Sequence, residues 1–166
     1  MKSRFTIHHK LQFLIGDLTA LASLVFAIVF MLTTNSQIPV HYDLAWNPTR
    51  YGNPGVLLII PLTMLPTNLI IHAIAYFLPP ERWNLPSQPK EGCEEKLYQI
   101  IAYMLSLIVF ESGIYSLLFT VAAAYDIRVL LRFITIAYIV IILATCIIDI
   151  VVYVKKNKTQ GPTFEV

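Results

Sequence analysis

Hydrophobic residues along this chain gather into four long stretches separated by polar segments. The stretches cover about residues 11–33, 55–78, 97–124 and 127–154. A helix needs about 20 mostly apolar residues to cross the roughly 30 Å hydrocarbon core of a bilayer, where the backbone finds no other hydrogen-bond partners. The pattern therefore predicts an all-α, polytopic membrane protein, with four transmembrane helices packed as a bundle in the lipid of the cell membrane.

The composition argues against several other classes of protein. Of the 166 residues, 57% are hydrophobic and only 13% are charged. An average soluble domain is about one quarter charged, because charged groups cover its surface. We therefore do not expect a soluble enzyme, a disordered chain or a protein that binds nucleic acid. The first stretch contains Asp17, and no small-residue cleavage pattern follows Phe30, so we interpret it as a retained span rather than a signal peptide.

The distribution of Lys and Arg predicts which ends of the helices face the cytoplasm. Nine of these cations lie in the two terminal tails and in the loop after the second stretch, whereas three lie in or near the other two connections. Since short cytoplasmic loops carry the excess of Lys and Arg, both termini are predicted to be cytoplasmic. The predicted segments are a tail at 1–10, a first helix pair at 11–78 with an extracytoplasmic loop at 34–54, a cytoplasmic loop at 79–96, a second helix hairpin at 97–154 and a tail at 155–166.

The predicted extracytoplasmic loop carries an ordered set of aromatic, polar and turn-forming residues. In chain order they are Ile38, Pro39, His41, Tyr42, Asp43, Tyr51, Gly52 and Asn53. This order resembles the signature of a membrane domain of unknown function found in SdpI-type immunity proteins, which also lies between two spans. The chain departs from that signature at three positions, with Trp46 where the family usually has glycine, Thr49 where it has aspartate and Pro54 where it has lysine.

The resemblance implies a non-catalytic membrane protein of the immunity or signalling kind. SdpI-type proteins protect a cell from a secreted toxin, and some pass a signal to a cytoplasmic repressor. On this basis we expect a secreted peptide or toxin to bind the outer loop, and a cytoplasmic regulator to bind the opposite face.

The same loop also has a purely structural interpretation. Pro39 fixes its own backbone and holds Ile38 extended, so the chain leaves the first span abruptly. The aromatic side chains of the loop have apolar bodies and polar tips that suit the membrane interface. The loop would then be a rigid cap in which His41 and Asp43 bond to backbone groups. These two residues alone are too few ligands for a metal site.

Five polar side chains lie within the apolar stretches, namely Asp17, Asn68, His72, Glu111 and Asp149. A charge at the centre of a bilayer costs about 2.5–3.5 kcal/mol on insertion scales, so such groups usually face a partner or water. If they face one another, Asp17, His72 and Asp149 lie at one depth and are predicted to form a carboxylate–imidazolium–carboxylate cluster. Glu111 lies level with Asn68 and is expected to pair with it. The groups are interpreted as interhelical hydrogen bonds, as side chains that extend to the near interface, or as a path for protons or cations.

Two functions compete on these observations. The first is the immunity or signalling protein with an outward-facing recognition loop. The alternative is a small proton- or cation-coupled transporter subunit, indicated by His72 and Glu111 and by Pro61 and Pro66, which predict a kinked or partly unwound second span. The sequence contains no phosphate-binding glycine loop, metalloprotease histidine pair or serine elbow. We therefore expect no catalytic residue, bound metal or cofactor.

Overall fold

Four long helices and one short β-hairpin form the fold. The computed structural model describes residues 5–159, so residues 1–4 and 160–166 of the two predicted tails lie outside the described residues. The helices are α1 (Ile7–Thr33), α2 (Ile59–Phe77), α3 (Glu94–Ala124) and α4 (Arg128–Thr159), and short 3-10 helices occur at Pro54–Leu58 and Pro80–Arg82. All four long helices, α2 together with the 3-10 turn that precedes it, are long and apolar enough to cross a membrane. The predicted set of four candidate spans and the multi-pass character are thus supported.

A β-hairpin lies between α1 and α2, within the segment that the sequence predicted as a loop. Strand β1 (Ile38–Tyr42) pairs antiparallel with β2 (Pro48–Gly52). The register is irregular on both sides of His41, where it shifts relative to β2. The predicted loop of turns is therefore an ordered element with its own backbone hydrogen bonds.

The two terminal tails are shorter than predicted, because α1 and α4 extend beyond the apolar stretches. The backbone of His9 donates to the Thr6 hydroxyl and the backbone of Thr6 donates to His9 Nδ1, so a capping box begins α1 at Ile7 rather than near residue 11. At the other end, α4 continues past residue 154 to Thr159. Its last turns are held by hydrogen bonds from Tyr153 and Asn157 to the loop after α2.

Helix α3 is the central element, because α1, α2 and α4 all pack against it. It buries twelve residues, whereas α4, of similar length, buries five and has its main helix contact with α3. The four helices therefore do not surround one common axis with equal contacts. The outward faces of α1, α2 and α4 carry exposed Leu, Ile and Val side chains, as expected where lipid replaces water.

Helices α1 and α3 cross in close backbone contact at Gly16 and Gly113. A Cβ atom added at Gly113 would overlap the Gly16 carbonyl and the Thr19 hydroxyl, and one added at Gly16 would overlap the Val109 carbonyl. The residues that flank the crossing are small as well, for example Ala20 on α1 and Ser116 on α3. Small residues allow two backbones to approach and gain van der Waals contact, which drives helix association in lipid.

Helix α2 runs continuously through its prolines, so of the two predicted forms, kinked or partly unwound, the unwound segment is not seen. Pro61 lies in the first turn of α2, where the missing N–H costs no helical hydrogen bond, and Pro66 lies inside the helix. The hydroxyls of Thr63 and Thr67 donate to carbonyls three or four residues earlier in the same helix. These bonds keep the threonine hydroxyls satisfied without a break in the backbone.

The start of α1 and the end of α4 lie at the same end of the molecule. The ring of Phe5 stacks on Tyr76 near the end of α2, with ring centroids 5.0 Å apart. The backbone of Lys90, in the loop before α3, donates to Asn157 near the end of α4 at 2.9 Å. The β-hairpin and the turn between α3 and α4 lie at the opposite end, where Tyr42 meets Asp126.

Candidate functional site

The β-hairpin gathers most of the residues that carry the family resemblance. Cross-strand pairs place Ile38 opposite Gly52 and Pro39 opposite Tyr51. Ile38 and Pro39 are buried against the helices. The apolar start of β1 thus fixes the base of the hairpin, while the polar residues lie further along it.

Asp43 organises the tip of the hairpin. One of its carboxylate oxygens accepts hydrogen bonds from the backbone N–H groups of Ala45 and Asn47, at 2.9 and 2.8 Å. The Asn47 side chain donates to the other oxygen at 3.3 Å. These bonds, first of all that from the Asn47 backbone, lower the pKa of Asp43 from its ordinary value of 3.8. The carboxylate is therefore committed to the turn, as the structural interpretation of Asp43 predicts.

His41 and Thr49 pair across the two strands. His41 Nδ1 is hydrogen-bonded to the Thr49 hydroxyl, and both residues are exposed. Threonine therefore serves as a cross-strand partner at a position where the resembled family usually has aspartate. The prediction that His41 bonds to backbone groups is wrong in detail, because its ring bonds to a side chain.

Two further departures from the family signature have a structural explanation. Trp46 has a φ of 65°, in the left-handed region that glycine enters most easily, and its indole packs beside Tyr42 with ring centroids 6.0 Å apart. Pro54 is buried and begins the 3-10 turn before α2. The Asn53 side chain caps that turn by accepting from the backbone of Gly55 at 2.7 Å.

Tyr42 anchors the hairpin to the turn between α3 and α4. Its hydroxyl donates to Asp126 at 3.4 Å, and Asp126 also pairs with Arg128 at 3.1 Å. Burial, followed by the negative charge of Asp126, raises the pKa of Tyr42 to about 12. Asp126 was not among the predicted site residues, because it lies 84 positions after Tyr42 in the chain.

Leu44 is the large aliphatic side chain of the tip and is fully exposed, at 103% of its reference surface, whereas the Trp46 indole packs beside Tyr42. Its neighbours Asp43 and Ala45 are exposed too, and the bonds to Asp43 hold the backbone on both sides of it. The hairpin therefore presents an apolar residue on an ordered tip, away from the packed base.

Asp17 and His72 form the predicted pair between the first two helices. Asp17 Oδ2 on α1 lies 2.7 Å from His72 Nδ1 on α2. The ring of Phe13 stacks on the imidazole, with centroids 4.3 Å apart. A groove of about 460 Å³ at the surface is lined by His72 and by residues that include Lys10 and Tyr76.

Asp149 does not complete the predicted three-residue cluster. Within residues 5–159, neither a hydrogen bond nor an ion pair joins it to Asp17 or His72. The reason is that α4 packs on α3 rather than on the pair formed by α1 and α2. Asp149 is buried on α4, one helical turn after Thr145.

The predicted bond between Glu111 and Asn68 is also replaced by two other contacts. Asn68 is fully buried and donates to the carbonyl of Val109 on α3 at 3.1 Å. Glu111 Oε1 instead accepts from the Thr145 hydroxyl on α4 at 2.7 Å. Both polar groups join helices, but Glu111 faces α4 and Asn68 faces α3.

A buried hydroxyl cluster between α1 and α3 was missed by sequence reasoning. The Ser23 hydroxyl lies 2.9 Å from that of Thr120 and 3.0 Å from that of Ser116, and it also donates to the Ser116 carbonyl. The spacing of Ser112, Ser116 and Thr120 at every fourth position of α3 is the signal that predicts such a face.

Comparison with family models, with curated proteins and with solved structures finds no match for this chain. The site is therefore interpreted from its own geometry.

Proposed function

We propose that this chain is a non-catalytic protein of the cell membrane that recognises a secreted peptide through its β-hairpin. In this proposal the four helices cross the membrane with both termini in the cytoplasm, and the hairpin projects from the outer face. An SdpI-type immunity or signalling role fits this arrangement, with a cytoplasmic regulator meeting the opposite end.

The observation that carries the proposal is the ordered tip with Leu44 exposed. A loop whose only role is to cap the helices would bury its apolar side chains, whereas here Ile38 is buried and Leu44 is not. Asp43 and the Tyr42–Asp126 contact restrain the hairpin, so a partner would lose little conformational freedom on binding it. An exposed apolar anchor on a restrained backbone suits recognition of a peptide.

The orientation is tested first, by cysteine labelling. With Cys93 and Cys146 replaced by alanine, Leu44→Cys should react with a membrane-impermeant maleimide in intact cells, and Lys158→Cys should react only after permeabilisation. Labelling of Lys158→Cys in intact cells together with protection of Leu44→Cys would reverse the proposed topology.

Recognition is tested by the growth of cells that make the chain and are exposed to a panel of purified antimicrobial peptides. If one peptide is tolerated only when the chain is present, Leu44→Asp should abolish the tolerance. The control Asn35→Asp adds the same charge to the same connecting segment and should keep it, with both variants present at equal amounts in the membrane. Two results would contradict the hairpin as the recognition surface. Cells with either variant would tolerate the peptide equally well, or the chain would give tolerance to none of the peptides.

A second candidate function rests on the Asp17–His72 pair. A proton- or cation-coupled transporter subunit needs an ionisable pair near a path, and this pair borders an open groove beside Lys10. His72→Gln should then abolish pH-dependent cation flux in liposomes, while Leu44→Asp should leave that flux unchanged. Flux that is the same with and without the chain would exclude this candidate.

A further inference from the structure

A groove between α3 and α4 combines one carboxylate with several aromatic rings. Its volume is about 390 Å³, within the range of small-molecule sites. The carboxylate is that of Glu111, and the aromatic lining residues are Phe110, Tyr115, Phe133 and Tyr138. The rest of the lining is aliphatic, so Glu111 is the ionisable group with which an occupant of this groove would pair.

The Glu111 carboxylate has capacity for a further partner. Thr145 occupies Oε1, whereas Oε2 is buried and has no hydrogen-bond partner within residues 5–159. Asp149, one helical turn after Thr145, is another acid, and the Lys and Arg residues of α4 lie toward its two ends, so α4 places no positive charge beside Glu111. A carboxylate oxygen that is buried without a partner is stabilised by a cation brought in by a ligand.

The aromatic rings are held in place for such a ligand. Tyr115 and Tyr138 stack with centroids 4.1 Å apart, and the Tyr138 hydroxyl lies 3.1 Å from that of Ser112. Phe133 is exposed along the groove. The faces of aromatic rings attract organic cations, particularly where water is excluded.

The depth of Glu111 restricts the class of cation. It lies near the middle of α3, roughly 20 Å or more from either end at 1.5 Å per residue. A strongly hydrated metal ion or a lipid head group does not enter hydrocarbon to that depth without a large desolvation cost. A cation whose charge is delocalised or shielded by apolar groups enters hydrocarbon at a much smaller desolvation cost.

We propose that the groove between α3 and α4 binds a lipophilic organic monocation, with its charge beside Glu111 and its apolar groups against the aromatic rings. This site goes beyond the proposed recognition function and does not depend on the hairpin. It also differs from the Asp17–His72 pair, which lies between α1 and α2.

The test uses two probe ions of the same shape and opposite charge. Tetraphenylphosphonium and tetraphenylborate are added separately to the purified full chain in neutral detergent, and binding is measured by equilibrium dialysis. The cation should bind saturably and the anion should not. Equal binding of the two ions, which is the result for a groove that merely holds apolar molecules, or no saturable binding of the cation, would overturn the proposal.

Variants locate the bound cation. Glu111→Gln keeps the acceptor for Thr145 and should weaken binding roughly 30-fold, since it removes the charge that pairs with the ligand. Glu95→Gln makes the same change at an exposed position of the same helix and should leave the affinity unchanged. Phe133→Leu should weaken binding about threefold through loss of one ring face. Unchanged affinity in Glu111→Gln would refute the assignment, and if that variant fails to fold, the pair of probe ions still decides.

Discussion

The crossing of α1 and α3 gives the sharpest prediction about what holds the molecule together. Gly113→Ala adds one methyl group where the nearest atoms are the Gly16 backbone and the Thr19 hydroxyl. A backbone cannot rotate away as a side chain can, so the two helices must separate. Separation also weakens the neighbouring contacts of Ala20 and the hydroxyl cluster around Ser23.

The magnitude follows from two opposing terms. Overpacking a close contact costs about 1–3 kcal/mol. Alanine in place of glycine within a helix returns up to about 1 kcal/mol through higher helix propensity. Because the overlap is with backbone atoms, the cost lies in the upper part of that range, and we expect Gly113→Ala to lower the free energy of unfolding by about 1–2 kcal/mol. Gly113→Leu should prevent the two helices from packing.

The measurement is equilibrium unfolding in mixed micelles, with SDS titrated into a non-ionic detergent and the fluorescence of buried Trp83 as the signal. A matched pair on α1 separates the crossing from a general effect of added bulk. Ala20→Leu, at a fully buried position, should destabilise the protein, whereas Ala22→Leu, at an exposed one, should not. If Gly113→Ala is as stable as the unaltered chain or more so, the helices do not approach as closely as described and the reasoning fails.

Three other regions give further predictions. His72→Leu should destabilise the protein by about 1–3 kcal/mol, because it leaves Asp17 without its partner. Adding Asp17→Leu should restore much of this loss, which a double-mutant cycle in the same micelles would measure. Purely additive effects of the two substitutions would contradict the pairing. Because the pKa of Tyr42 is raised to about 12, the contribution of its hydroxyl to stability should be fully present below pH 10 and lost as the pH rises through about 12. Asp126→Asn should lower the pKa of Tyr42 in an absorbance titration of tyrosine. An unchanged titration would rule out the contact between Tyr42 and Asp126. Asn157→Ala should speed proteolysis of the loop that follows α2 without altering helix content, and unchanged cleavage would show that the loop is held by other contacts.

The hairpin shows how far a sequence pattern reaches without tertiary information. Its residues attract notice as a motif, and the Asp43 turn follows from local chemistry. The two strands cannot be predicted from local chemistry, because Pro39 and Pro48 lack backbone donors and the pairing is irregular at His41. The anchor between Tyr42 and Asp126 joins residues 84 positions apart, so no local pattern contains it.

The sequence alone determined the four helices, because the length of an apolar segment and the need to satisfy its backbone are local properties. Counting residues along the helices also predicted which polar groups lie at one depth, and of the three placed together, Asp17 pairs with His72 whereas Asp149 does not. Depth does not specify which way a side chain points around the helix axis or which helix lies beside it. That was decided by packing, above all by the approach of Gly16 to Gly113, which makes α3 central and leaves α4 against α3. For this physical reason Glu111 meets Thr145 rather than Asn68, and Asp149 lies apart from His72.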